Sequence, residues 1–158
     1  MKKEKIQEFT TRISGANRTT LVVILFDMME EYLNEAKEFA AKGDWKRYKE
    51  EVMKGQACLN ELASSLDMQY EVSSRLMALY VEWNRMFIHG AISKKTELLD
   101  GIYIGIAHIR EAFEQLAKED DSPVLMGNTQ TVYAGLTYGK GTLNESIDIR
   151  EDGRGFFA

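Results

Sequence analysis

What this chain lacks narrows its chemistry. Its 158 residues include one cysteine, Cys58, so no internal disulfide can support the fold, which suits a reducing, cytoplasmic setting. It has one proline, Pro123, and a modest aromatic load of 10%, which favours long uninterrupted helices over a β-sandwich with frequent turns. Long hydrophobic runs are missing too. The most apolar stretch, residues 21–26, is too short for a membrane span and is followed at once by Asp27. The opening residues Lys2, Lys3, Glu4 and Lys5 are charged and no long apolar core follows, so neither a leader nor membrane insertion is expected. The net charge is −5, of which residues 119–158 carry −4, and no basic stripe exists to attract a phosphate backbone. Nucleic acid is therefore not an expected partner.

Catalytic and metal-binding patterns are equally thin. A metal site in a helical bundle needs inward carboxylates and a Glu-x-x-His pair, but Met86 and Gly105 precede His89 and His108 by three. One cysteine and two distant histidines give zinc no better site, so no metal and no cofactor are expected. No nucleophile sits beside a base at recognisable spacing. The stretch Gly139, Lys140, Gly141, Thr142 is not a phosphate loop, because Gly141 stands where serine or threonine must follow the lysine. Histidine phosphotransfer is the enzyme-like alternative, since a bundle with one exposed histidine suffices for it. His108 has the acidic Glu111 one turn on, the wrong sign beside a phosphoryl group, and His89 has Ile92 and Ser93. A binding protein rather than an enzyme is expected.

What is present is helical periodicity. Ile6, Phe9 and Ile13 mark a short amphipathic helix that ends at Ser14 and Gly15. Asn17 caps a long helix to about residue 41, stopped by Gly43. Asp44 caps the next, with Trp45, Tyr48, Val52, Leu59, Leu62 and Leu66 in heptad rhythm and Gly55 and Cys58 near the seam. A link at Asp67 and Met68 leads to a helix over residues 69–88, striped by Val72, Leu76, Leu79, Tyr80, Trp83, Met86 and Phe87. Gly90 is read as its exit and Ser93 as the cap of a last helix ending near Lys118, striped by Leu98, Ile102, Ile106, Ile109, Phe113 and Leu116. Short links force antiparallel neighbours, so the expected fold is all-α: an up-down-up-down four-helix bundle preceded by a short N-terminal helix. Trp45, Leu59, Leu62, Leu76, Leu79, Ile102, Ile106 and Ile109 are its expected core. The bundle domain is assigned to residues 1–120 and a glycine-rich C-terminal extension to residues 121–158, which holds more spaced apolar residues than a solvated linker needs.

Three helices carry more apolar surface than a bundle core consumes. Leu21, Leu25 and Met28 form one stripe, Val22, Phe26 and Met29 a second, and Val23 and Ile24 fill much of the remaining circumference. Met77, Val81 and Ile88 add a second line to the helix over residues 69–88, and in the last helix Ile104 lies nearly opposite Ile102 with Tyr103 between them. Either the first helix and the tail cover this surplus, or it is a groove for another polypeptide, and methionines suit the latter. The expected partner-binding residues are Ile6, Phe9, Leu21, Val22, Leu25, Phe26, Met29, Met77 and Tyr80. Val132, Tyr133 and Leu136 are the expected self-docking residues of the tail.

The run from Leu21 to Asp27, followed by Leu33 and Ala36, resembles the opening signature of flagellar export chaperones of the FliS type. So does the longer series Leu59, Asn60, Glu61, Leu62, Ser65, Leu66, Asp67, Val72, Leu76, Leu79, Tyr80 and Phe87, a Leu-Asp break followed by a helix with Leu-Tyr. The likeness spans residues 6–118; Asn17 to Thr20 stand where a proline is frequent, and Phe26 where tyrosine is usual. The resemblance implies a cytosolic chaperone that binds the disordered C-terminal segment of flagellin, prevents premature polymerisation and presents the subunit to the flagellar export gate. A generic helical adaptor with another client is the remaining alternative. Residues 128–136, with a polar lead and spaced apolar residues, themselves resemble a flagellin C-terminal end, the basis for expecting them to compete with a client.

Overall fold

The computed structural model of the protein describes residues 1–126, which form one compact unit, Met1–Met126. Among the described residues there are five α-helices and no strand: α1 (Lys3–Ser14), α2 (Arg18–Ala41), α3 (Trp45–Ser64), α4 (Glu71–Ser93) and α5 (Glu97–Glu119). α2 packs on α3 and α5, and α4 packs on the same two, closing an antiparallel up-down-up-down bundle with α1 against α2.

Local chemistry sets most helix ends. The Asn17 side-chain oxygen accepts the Thr20 amide at 2.8 Å, and Asp44 accepts the Arg47 amide at 3.1 Å, each satisfying a donor the helix cannot. Between α3 and α4, Asp67 accepts the Gln69 amide at 3.0 Å and turns the chain. The end of α4 departs from the sequence expectation. The helix runs through Gly90 to Ser93, whose hydroxyl returns to the His89 carbonyl, and the cap of α5 is Thr96. Lys94, in the left-handed conformation at φ 57°, makes the turn instead. Gly90 has a packing role. A Cβ there would lie 3.2 Å from Leu99, and the Tyr48 hydroxyl donates to its carbonyl at 2.9 Å.

One core runs the length of the bundle. Phe26, Met29, Leu33, Tyr48, Val52, Leu59, Leu62, Phe87, Leu99, Ile102 and Ile106 are essentially without solvent exposure. Of the expected core, Leu59, Leu62, Ile102 and Ile106 are buried, while Trp45, Leu76, Leu79 and Ile109 pack half-buried around them. The α4–α5 seam is tight because Gly105 lets the Trp83 ring approach: a Cβ would fall 2.4 Å from Trp83 Cζ2.

The short α1 covers the opposite flank of α2. Phe9, Ala16 and Ile24 form a second buried cluster, joined by half-buried Ile13, Leu21 and Met28. Burying a phenylalanine such as Phe9 contributes about 1.5–3 kcal/mol toward holding α1 on the bundle, beside the ion pair of the Met1 ammonium with Glu35. Asp27 adds a polar clamp, accepting from Arg12 of α1 and from Arg110 of α5.

Candidate functional site: an open apolar groove

The two ends of the bundle are built differently. Where α2 begins, α3 ends and α4 begins, the core stops short of the surface. A groove of about 230 Å³ opens there, floored by Leu62, Tyr80, Leu76 and Phe113, with Val22 on one wall and Leu66, Val72 and Tyr70 on the other. Tyr70 and Val72 are 64% and 60% exposed, high for an aromatic and a β-branched residue at the start of a helix. A second hollow of about 290 Å³ adjoins it, sharing Arg18, Val22 and Ser65 and adding Leu21, Leu25 and Leu125. Together they make one apolar trough along the first two turns of α2, with polar groups at its edges.

Those polar groups are few. The Arg18 guanidinium donates to the Ser65 carbonyl at 2.7 Å, tying the start of α2 to the end of α3. Thr19, Ser65, Asp67 and Ser73 complete the rim. The Tyr80 hydroxyl lies deep in the groove wall, and burial pushes its pKa up to about 12, so it stays neutral. Glu30, one turn beyond Asp27, also has its pKa raised, by burial and against the pull of Arg110. Such an arrangement can hold apolar side chains and a few backbone groups.

Of the residues expected to bind a partner, the structure brings Leu21, Val22, Leu25 and Tyr80 together at this trough. It places the others elsewhere. Phe26 and Met29 are fully buried, the Phe26 ring lying 5.9 Å from that of Phe113, so they support the groove from beneath. Phe9 is buried under α1 with the Arg12 guanidinium over its ring, and Ile6 is half-exposed on the outer face of α1. Met77 is half-buried on α4 outside the groove. Val132, Tyr133 and Leu136 lie outside the described residues. Sequence reasoning missed Arg18, Leu66, Tyr70 and Phe113 as groove residues.

The surplus apolar surface is thus partly consumed. α1 covers Ile24 and Leu21 from one side, and residues 120–126 cross the start of α2 on the other. What remains open is the trough and a line on α4 through Val81, Ile88 and Ile92. Both histidines are exposed, and His108 Nδ1 lies 2.7 Å from the carbonyl of Ile104 on its own helix. Among the described residues no group of three histidine, cysteine or acidic side chains converges as a metal site, and no helix is long and apolar enough to cross a membrane.

An α-helical bundle whose core opens at one end into an apolar trough has the kind of surface that soluble proteins present to partners. Comparison with known families makes this specific. The family model described as "Flagellar protein FliS" matches residues 1–120, and the chain belongs to that family, whose members are flagellar chaperones for flagellin and not enzymes. A comparison with curated proteins finds no match.

Proposed function

We propose that the trough at the start of α2 holds the C-terminal segment of flagellin in the cytosol, keeping the subunit from polymerising until it is passed to the flagellar export gate. The observation that carries this reading is the open trough itself. Leu21, Val22, Leu25, Leu76 and Tyr80 form a continuous apolar lining with exposed Tyr70 and Val72 at its mouth. An amphipathic segment that is disordered alone can lay its apolar residues there and gain helix on binding. The cost of ordering it keeps the complex releasable, as an export chaperone requires.

The test is binding of a flagellin C-terminal fragment, followed by calorimetry, to the full chain and to variants at the mouth of the trough. Tyr70→Ser and Val72→Ser should weaken binding severalfold while helicity and melting temperature hold. Undiminished affinity in both variants would place the client elsewhere on the bundle.

A further inference from the structure

Residues 120–126 follow α5 and do not leave the bundle. They cross its open end and fasten at three points to residues 16–19, where α2 begins. The Asn17 side-chain amide donates to the Asp120 carbonyl at 2.8 Å, the Thr19 hydroxyl donates to the Asp120 carboxylate, and the Leu125 amide donates to the Ala16 carbonyl at 3.0 Å. Asp120 also accepts the Ser122 amide at 3.0 Å, which turns the chain toward α2. The Leu125 side chain then forms part of the wall of the hollow lined by Leu21, Val22 and Leu25.

We propose that residues 120–126 are a strap that occupies one end of the client trough and must be displaced before a client fills it, so that the chain lowers its own affinity until a partner competes. This rests on the trough being the flagellin site. Three features fit a device made to release. Leu125 is 56% exposed, so its apolar attachment is partial. Its single backbone bond to Ala16 is not part of a ladder that would hold it cooperatively. The firm attachment, at Asp120, lies at the hinge where the strap leaves α5, so the remainder can swing away without disturbing the helix. A negative carboxylate at the first turn of α2 is also favourably placed against the helix dipole, which fixes the hinge rather than the free end.

A strap that must open scales the apparent dissociation constant by the inverse of the open fraction, so releasing it should tighten binding by about three- to tenfold if it is open one-tenth to one-third of the time. The experiment uses the full chain and a labelled peptide of the flagellin C-terminal segment. The double variant Asp120→Ala/Leu125→Pro removes the carboxylate acceptor and the Leu125 donor and leaves the trough walls on α2, α3 and α4 untouched. Tighter peptide binding with unchanged melting supports the strap; equal or weaker binding overturns it. Hydrogen exchange on the unaltered protein gives a second reading. Adding peptide should speed exchange at residues 121–126, whereas slower exchange there would show the segment closing over the client and would overturn the proposal. Peptide binding to neither form would overturn the flagellin reading itself, and the strap's role with it.

Discussion

The two ends of this bundle pack by opposite means. At the end where α3 and α5 begin, small and large residues interlock: the Gly90 backbone lies against Leu99 and takes a hydrogen bond from Tyr48. At the other end Val22, Leu62, Leu66, Leu76 and Phe113 face one another with no glycine to bring the helices together, and about 230 Å³ stays open between them. The same four helices therefore supply a sealed core and an unfinished one. The unfinished end is the one a second polypeptide can complete, and it can do so without any change in the sealed half.

The largest effects should come from breaking the sealed half. Ile106→Ala, at a position without solvent exposure, should cost about 2–5 kcal/mol through lost burial and the residual cavity. Chemical denaturation with a matched slope would measure it. Gly105→Ala drives a methyl toward the Trp83 ring and should cost about 1–3 kcal/mol, even though alanine is the better helix former. A gain in stability there would mean Trp83 can move aside. Cys58, buried in the shared core about one turn from Leu62, reports on opening of the bundle. Burial pushes its pKa to about 11, so in the folded protein it should resist alkylation at pH 8 and react only as the bundle opens.

Smaller effects on stability, and larger ones on binding, are expected at the open half. Val72→Ser should change stability by no more than about 0.5 kcal/mol while lowering affinity for the flagellin fragment, since the residue is 60% exposed at the mouth of the groove. If it unfolds the bundle instead, the distinction between the two ends fails. The smallest effect concerns the Asp120 hinge. Hydrogen bonds from Ser122 and Thr19 hold its carboxyl at about 2, below the ordinary 3.8. A depressed carboxylate stabilises the folded state fully above its unfolded value and loses that contribution as the pH falls toward its folded value. The Thr19 and Leu125 amide resonances should accordingly shift with a midpoint near pH 2, and Asp120→Asn should abolish the shift.

The helices themselves were readable. Apolar spacing placed α2 and α3 to within about two residues, because Asn17 and Asp44 are caps whose side chains act on their own backbone. Gly90 and Ser93 were misread as an exit and a cap. A glycine that ends a helix and a glycine that lets another helix approach look alike until Leu99 and Tyr48 are seen beside it. The partner-binding residues divided for a similar reason. Phe26 and Leu25 are adjacent and both apolar, yet one lies under Phe113 and the other beside the strap. Periodicity shows that α2 is apolar nearly all round, and cannot show which arc α1, the core and residues 120–126 each cover.

Sequence by itself determined the local structure of this protein: five amphipathic helices, short links that force antiparallel neighbours, and a motif series that resembles FliS chaperones. These follow from interactions within a few residues of one another, caps, turns and the 3.6-residue repeat, which any reading of neighbours can recover. Tertiary structure alone decided where the core stays open. That depends on Val22, Leu62, Leu76 and Phe113, from four different helices, failing to meet, and on Asp120 reaching back a hundred residues to Thr19. Volume and distance between remote segments carry no signature in either segment alone.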